Sequence, residues 1–264
     1  MEKLVDKIYF QGKREKLISE LREKGISEPT LQAMSEVPRH LFASFPLFAF
    51  SYLDRVLPIS KKLNWRRPLN IWRNQSTLSQ PNVIAEMIDK LKLEPTDKVL
   101  EIGTATGYQA AILSKLADEV VTVDVFHDLC KAAKSRLNKL EIDNVHVLVA
   151  DGSIHFTEGG IFDKIIVTAS VPPTFPPHPL LKLLKPGGLA VMPLGGVVGK
   201  EELCQMLSIR ATKDSFVIEE QDPGYVFVNL EGRAGWRAFN RAIIDSFYEN
   251  AIDKLGGNIE LGSE

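Results

Sequence analysis

A doubly wound α/β fold with a mostly parallel sheet is predicted for the central part of this 264-residue chain, residues 81–197. Two observations predict it. Short runs such as "KVLEIG", "EVVTVDV" and "DKIIVTA" are almost entirely apolar, as strands covered on both faces are. Helical patterns such as "PNVIAEMIDKLKL" separate these runs, and regular alternation of strand and helix is typical of parallel sheets. We expect the whole chain, residues 1–264, to form one domain around this core.

The regions outside the core have other patterns. Residues 1–80 contain two helical patterns, "REKLISELREKG" and "EPTLQAMSEV", and are expected to form an N-terminal helical region. Residues 198–237 contain three apolar runs without helices between them, "LCQMLSIRAT", "SFVIEEQ" and "YVFVNL". These runs predict antiparallel strands at one edge of the sheet. Residues 238–264 return to a helical pattern, so we expect a helical tail.

Charge and cysteine content exclude several classes of protein. A formal net charge of -2 and a pI near 6.3 give no general attraction to nucleic acid or to an anionic membrane. No apolar run approaches the ~20 residues that a membrane span needs. Cys130 and Cys204 lie far apart and lack the spacing of metal ligands, so we expect neither a disulfide framework nor a metal site. A reducing, cytoplasmic location is the default expectation.

One basic and aromatic cluster stands apart from the acidic balance of the chain. Residues 60–73, "SKKLNWRRPLNIWR", interleave Trp with Arg and Lys. Such interleaving occurs in nucleic-acid-binding surfaces, but a single short cluster is more often a solvated loop with a tucked Trp. We therefore expect residues 60–73 to form a solvated loop and expect no nucleic-acid partner.

The segment "EIGTATGYQ" joins the first core strand to its helix. In an open α/β sheet, ligands bind beyond the carboxyl ends of the strands, at such a turn. Gly103 and Gly107 allow the backbone to bend tightly and to approach a ligand closely. Asp124 ends the next strand, close to the ~20-residue offset at which an acid accepts from both ribose hydroxyls. An ordinary strand-to-helix turn is the alternative, but the turn and the acid together favour a nucleotide-type ligand.

The composition of this turn narrows the choice of ligand. Ala105 stands where a dinucleotide site has its middle glycine, and no third glycine follows, so NAD is disfavoured. Glu101 would repel a pyrophosphate but suits an ammonium group, and S-adenosylmethionine carries a ribose and an ammonium without phosphate. Asp151 in "VADG" can accept from an adenine amino group, and Thr104 and Gly152 complete the expected cofactor site. These features fit a Rossmann-like fold of the class I methyltransferase type.

Several motifs occur in the order found in protein-L-isoaspartate O-methyltransferases. They are "VPRHLF", "DRVLPI", "STLSQP", "VLEIGTATGYQAAIL", "VADGS", "FDKIIVTAS", "LLKPGGLAVMPLG" and "YVFVNLEGRAGW". Residues 15–237 resemble this family, and the first three motifs are its more specific marks. The resemblance implies methyl transfer from S-adenosylmethionine to the α-carboxylate of L-isoaspartyl residues in damaged proteins or peptides, with later cyclisation and repair. It also implies that residues 1–80 form the side of the site that faces the substrate. We expect the protein to be a monomer.

In this family a Thr-x-Ser segment lies over the methyl donor, and the resemblance assigns that position to Thr77 and Ser79. Ser79 also stands where a helix N-cap could be, since Pro81 is a good first helical residue. The resemblance favours the substrate role. Two rival functions stay open: a methyltransferase with another acceptor, and a non-catalytic cofactor-binding homologue. The first rests on the insertion 60–73 and the second on Ala105, where the family commonly has glycine. The chain also departs from the family pattern in "VNL", which replaces the more usual "VPL", and in its tail.

Overall fold

The computed structural model has five α-helices around the sheet in the part of the chain that it describes. It describes residues 9–59, 76–154, 159–173, 178–195 and 203–236. The helices in this part of the chain are α1 (Gln11–Glu23), α2 (Glu28–Glu36), α3 (Pro81–Leu91), α4 (Tyr108–Leu113) and α5 (His127–Lys139). Short 3₁₀ helices cover Arg39–Leu41, Leu47–Phe50 and Pro179–Leu183. The insertion 60–73 and the predicted helical tail lie outside the described residues.

The strands of the described residues form one large sheet and one small ribbon. The ribbon pairs β1 (Leu57–Pro58) with β2 (Thr77–Leu78). The other strands are β3 (Lys98–Ile102), β4 (Glu119–Asp124), β5 (Val145–Val149), β6 (Phe162–Val167), β7 (Leu184–Leu194), β8 (Cys204–Ala211) and β9 (Phe216–Tyr225). They are arranged in the order β5-β4-β3-β6-β7-β8-β9, parallel up to β7 and antiparallel beyond it. The predicted fold class, with its antiparallel edge, is confirmed.

Apolar side chains cover both faces of the sheet, as the uniformly apolar strands predict. Strand β3 illustrates this, because successive side chains of a strand point to opposite faces. Val99 packs in the cluster that includes the N-terminal helices and α3, whereas Leu100 and Ile102 pack in the cluster on the other face. All three side chains are buried. The carboxyl end of β3, where Ile102 leads into the glycine turn, is thus fixed from both sides.

One predicted strand is wrong. "YVFVNL" is not a third antiparallel strand, because β9 ends at Tyr225 and residues 226–230 leave the sheet. Gly224 turns the chain with a positive φ of 104°. The segment then bonds to Ser170, whose N–H donates to the Val228 carbonyl at 2.7 Å and whose carbonyl accepts from the Leu230 N–H at 2.9 Å. These contacts carry residues 226–230 across the carboxyl end of β6.

The described helices have no apolar stretch of membrane-spanning length. None of them combines the length and the hydropathy that crossing a bilayer would require. The longest of them, α1 and α5, have 13 residues each, whereas a span takes about 20.

Helix α3 is capped from a distant part of the chain. Its N-cap residue is Gln80, whose side chain accepts no capping hydrogen bond. The Asp54 carboxylate instead accepts from the N–H of Asn82 at 2.9 Å. It also accepts from the Gln80 amide at 3.2 Å and from Lys24 at 2.6 Å. The capping role considered for Ser79 therefore belongs to Asp54.

We expect Asp54→Ala to lower the free energy of unfolding by about 1 kcal/mol, the usual cost of losing a capping acceptor. Ser79→Ala should leave it unchanged, because Ser79 does not cap α3. Urea unfolding of both variants measures these values. A loss of stability in Ser79→Ala that matches the loss in Asp54→Ala would contradict this assignment of the cap.

Candidate active site

A cavity opens at the carboxyl ends of β3 and β4, at the glycine turn. Six described parts of the chain contribute to its wall: the segment before α3, the turn from β3 into α4, and the segments at the ends of β4, β5, β6 and β9. Its described lining residues include Ser76–Ser79, Ile102–Thr106, Tyr108, Gln109, Val123–Phe126, Gly152, Thr168 and Val228–Glu231. This is the place where an open α/β sheet binds its ligand.

The two glycines of the turn lie where a side chain would clash with neighbouring residues. Gly103 has a φ of 105°, and a Cβ there would lie 2.1 Å from the Thr168 hydroxyl. Gly107 has a φ of 84° and is the N-cap of α4; a Cβ there would lie 3.0 Å from that of Ala133. The turn therefore brings bare backbone to the cavity wall, and α4 starts directly behind it. Gly103 lines the cavity, whereas Gly107, also predicted in the cofactor site, lies outside the described lining.

Ala105 occupies the left-handed region, with a φ of 45°. This region is unfavourable for a residue with a Cβ. The Ala105 N–H donates to the Asp124 carboxylate at 3.0 Å, which holds the turn in place. The resemblance predicts a glycine here, and the backbone conformation gives the physical reason for that preference.

Asp124 lies at the end of β4, in the cavity wall. Its second carboxylate oxygen accepts from the N–H of Phe126 at 3.0 Å. Burial raises the pKa of Asp124, although the backbone N–H groups of Ala105, Phe126 and Val125 act against that rise. Asp124 thus stands beside the turn, as predicted, and also supports the turn itself.

Glu101 is fully buried and lies outside the described lining of the cavity. One carboxylate oxygen accepts from the Thr122 hydroxyl at 2.5 Å, and that hydroxyl is 2.7 Å from the Thr104 hydroxyl in the cavity wall. The other oxygen, Oε1, is buried and has no hydrogen-bond partner. Burial raises the pKa of Glu101 to about 8, despite the hydrogen bond from Thr122. The two threonines thus connect the predicted ammonium-binding acid to the turn.

The structure does not bring Asp151 into the cavity, although its neighbour Gly152 lines the wall. One oxygen of Asp151 accepts from the Ser153 N–H at 3.0 Å and the Ser153 hydroxyl at 2.6 Å. The other accepts from the Arg233 N–H at 2.8 Å. Burial alone would raise the pKa of Asp151, but these hydrogen bonds outweigh it and hold the pKa below its usual value. The structure thus places Asp151 as an anchor of the C-terminal segment.

Further contacts fix the same C-terminal segment. The Ser153 hydroxyl accepts from the Ala234 N–H at 2.9 Å, and His178 contacts the Ala234 carbonyl through Nε2 at 3.0 Å. The Trp236 indole donates to the Ser170 carbonyl at 2.8 Å. Because Leu230 lies just before these anchors, its place in the cavity wall is fixed by them.

Thr77 and Ser79 stand between this cavity and a second, neighbouring one. The second cavity lies between α3 and the end of β9, and its described lining comprises Val56, Thr77, Ser79, Gln80, Val83, Thr168 and Gly224–Val228. Four residues belong to both walls: Thr77, Ser79, Thr168 and Val228. The predicted catalytic pair therefore lies where the two cavities adjoin.

Two polar residues of the wall, neither of them predicted in the site, have a buried atom without a hydrogen-bond partner. Gln109 is buried, and its amide nitrogen has no hydrogen-bond partner. The side-chain oxygen of Asn229 is likewise buried without a partner. Gln109 stands in the first turn of α4, directly after the glycine turn, and that position is the signal that could have found it. Unsatisfied polar atoms in a cavity wall are costly without a ligand or water, so both are candidate ligand contacts.

No cluster of metal-binding side chains accompanies this site. Within the part of the chain that the structure describes, no group of three or more His, Cys, Asp or Glu residues could hold a metal ion. Cys130 and Cys204 are both buried free thiols. The polar groups of the wall are instead hydroxyls, amides and carboxylates.

We expect Ala105→Gly to raise the free energy of unfolding by about 0.5–1 kcal/mol, because glycine adopts a positive φ without the cost that alanine has. Affinity for S-adenosylmethionine should change little. Ala132→Gly, within helix α5, is the matched control and should lose about 1 kcal/mol. Urea unfolding and calorimetry measure both quantities, and a large loss of affinity in Ala105→Gly would contradict this account.

The pKa of Glu101 predicts a pH-dependent stability. It is about 8 in the folded protein and about 4.3 in an unfolded chain. The folded state therefore holds a proton that the unfolded state has lost, and stability falls as the pH rises from about 4.3 to 8. Glu101→Gln removes this dependence. In urea unfolding of the ligand-free proteins, the variant should gain stability relative to the parent between pH 5 and pH 8, and parallel pH profiles would refute the assignment.

Comparison with known proteins now identifies the family. The model of the family Protein-L-isoaspartate(D-aspartate) O-methyltransferase (PCMT) matches residues 12–235. The protein-L-isoaspartate O-methyltransferase of Dictyoglomus thermophilum is 37% identical over 229 residues, which are 86% of this chain and 95% of that protein. A solved structure of a protein-L-isoaspartate O-methyltransferase is similar with a TM-score of 0.71 and 28% identity, over 84% of this chain and 67% of the other.

A more distant structure agrees in fold. A Plasmodium falciparum protein solved in complex with S-adenosyl-L-homocysteine gives a TM-score of 0.63 at 20% identity, over 83% of this chain and 98% of that one. At this identity the likeness concerns the fold alone. The family match and the close relative cover most of the chain, from the N-terminal helices to the last anchored turn. The chain belongs to the protein-L-isoaspartate O-methyltransferase family.

Proposed function

We propose that this protein transfers a methyl group from S-adenosylmethionine to the α-carboxylate of L-isoaspartyl residues in damaged proteins and peptides, the first step of their repair. The observation that carries the proposal is the position of Thr77 and Ser79, in the wall that two adjoining cavities share. One cavity has the glycine turn of a nucleotide site, and the other is a separate groove for an acceptor. The activity is that of the family to which the chain belongs.

The residues of the first cavity suit the methyl donor, whose sulfonium supplies an electrophilic methyl group. Bare backbone at Gly103 leaves room for a close approach, and Asp124 offers a carboxylate to a ribose diol. Glu101 supports the fit from behind the wall: it accepts from Thr122, whose hydroxyl contacts that of Thr104 in the wall, so its charge can act on a ligand ammonium in the cavity. A donor-bound state would also favour the ionised form of Glu101, since a nearby cation lowers the pKa of a carboxyl group.

The acceptor chemistry needs orientation more than a base. A carboxylate is already ionised near neutral pH, so no residue has to remove a proton before it attacks the methyl group. What the site must supply is alignment with the sulfur–methyl bond and exclusion of competing water. Hydroxyls at Thr77 and Ser79 can orient the acceptor by hydrogen bonding without neutralising it.

The charge of the two walls agrees with this chemistry. Among their described lining residues there is no Lys, Arg or His, so no cation there would form a salt bridge with the acceptor carboxylate. A salt bridge would lower the reactivity of that nucleophile by stabilising its ground state. The polar groups that the walls do offer near the junction are the hydroxyls of Thr77, Ser79 and Thr168.

A pair of isomeric peptides tests the proposal. The protein is incubated with S-adenosylmethionine labelled in its methyl group and with either an isoaspartyl peptide or its aspartyl isomer. We expect label in the isoaspartyl peptide alone. Binding of the donor without methylation of either peptide would instead indicate a methyltransferase with another acceptor or a non-catalytic cofactor-binding homologue. Calorimetry that detects no donor binding would contradict the proposal and both of these rivals.

Ser79 variants test its role. We expect Ser79→Ala to keep stability and donor affinity but to slow methyl transfer by about 10- to 100-fold, as expected when a hydrogen bond to a charged group is lost. Ser79→Asp should be slower still, because a second carboxylate repels the acceptor. Ser114→Ala, whose hydroxyl bonds within α4 and its C-cap, is the control. Methylation by Ser79→Asp at the parent rate would remove Ser79 from the site.

A further inference from the structure

Arg39 is a buried cation outside both cavity walls. Its side chain is 0% exposed, and it begins the 3₁₀ helix Arg39–Leu41. No carboxylate in the described part of the chain lies within salt-bridge distance of it. Burial lowers the pKa of Arg39, and the phenol of Tyr108 acts against that change. A desolvated guanidinium without an ion pair is costly, so its presence in the core calls for a physical explanation.

Two backbone carbonyls hold the guanidinium from different parts of the chain. Nε donates to the Ser51 carbonyl at 2.7 Å, and Nη2 donates to the Ser79 carbonyl at 2.7 Å. The central carbon of the guanidinium lies 4.8 Å from the centre of the Tyr108 ring, which lines the donor cavity. Arg39 thus connects the N-terminal region with the acceptor side and the donor side of the site.

The backbone of Ser79 lies between two supported neighbours: Leu78 is buried in the core, and Gln80 donates to Asp54. We define residues 76–80 as the strap. Its strand β2 makes only a two-residue ladder with β1, and this ladder ends at Leu78. Ser79 lies one residue beyond the ladder and before Pro81, which has no N–H to donate. Among the described residues, the charge-assisted hydrogen bond from Arg39 is the contact that fixes the Ser79 carbonyl.

We propose that Arg39 is a positioning residue for methyl transfer: by holding the Ser79 carbonyl and the Tyr108 ring together, it sets the place of the Ser79 hydroxyl relative to the donor. This inference rests on the proposed function. Arg39 touches neither substrate, and it acts through the backbone of the strap. A planar guanidinium can bind two carbonyls in a fixed relative geometry, which an ammonium cannot do.

Two substitutions and one control test this role. Arg39→Met keeps the length and apolar packing of the stem but donates no hydrogen bond. Arg39→Lys keeps the charge and can reach one carbonyl at a time. Ile209→Val in strand β8, remote from the site, is the control for a general loss of stability. Each protein is examined by hydrogen exchange of the strap, by calorimetry with S-adenosylhomocysteine, and by methylation of an isoaspartyl peptide.

We expect Arg39→Met to expose the strap to faster hydrogen exchange and to lower kcat by about 100-fold, the effect of a misplacement of roughly 1 Å. Affinity for S-adenosylhomocysteine should fall by less than about fivefold, since only a cation–π contact near the donor side is lost. Arg39→Lys should recover part of kcat. If Arg39→Met does not fold, the fall in kcat of folded Arg39→Lys, with near-normal donor affinity, supports the inference.

Other results would overturn the positioning role of Arg39. Parent-like strap exchange and kcat in either folded variant would show that the hydrogen bond to Ser79 does not matter for transfer. A loss of kcat no greater than that of Ile209→Val at equal stability would show a merely structural role. If the parent itself methylates no isoaspartyl peptide, the proposed function fails; hydrogen exchange then still decides whether Arg39 holds the strap, and unchanged exchange overturns the inference.

Discussion

The parallel register between β3 and β4 is the constraint on which the site depends. Ile102 pairs with Val123, so the two strands end at the same level. The N–H groups of Gly103 and Thr104 then both reach the Val123 carbonyl, at 2.9 and 3.2 Å. This places the turn beside Asp124, whose carboxylate fixes Ala105. A shift of one residue would turn every side chain of the strand to the other face and separate these groups.

Local patterns predicted the core and the turn, but they did not predict partners that come from distant parts of the chain. The strands around the turn were recognisable because their burial demands a continuous apolar run. Asp54 could not be recognised as the cap of α3, since 28 residues separate it from Asn82. Asp151 was predicted as a ligand contact, but its hydrogen bond from the Arg233 N–H could not be predicted, since 82 residues separate the two. "YVFVNL" has strand composition, yet Ser170 provides its hydrogen bonds outside the sheet.

Two buried ionisable groups, Glu101 and Arg39, lie outside the described lining of the cavity at the glycine turn, and no described residue of opposite charge lies within salt-bridge distance of either. Each is held by neutral partners: threonine hydroxyls for the first and backbone carbonyls for the second. Such groups reduce stability compared with apolar residues, and proteins commonly accept this cost at functional sites. Their arrangement keeps formal charge out of the shared wall while fixing the polar groups that line it.

The cavity wall combines segments that lie far apart in the sequence, and this affects when the wall can form during synthesis of the protein. Residues 76–79 of the wall lie in the first third of the chain, whereas residues 228–231 lie near the end of the described residues. The latter are fixed by the contacts that Asp151, Ser153 and His178 make with residues 233–234 and by the contact of Trp236 with Ser170. Translation proceeds from the N-terminus, and domains generally fold as units. A nascent chain that ends at β9 would have the glycine turn without the wall that faces it. The complete cavity at the glycine turn is therefore formed only after this last segment has left the ribosome.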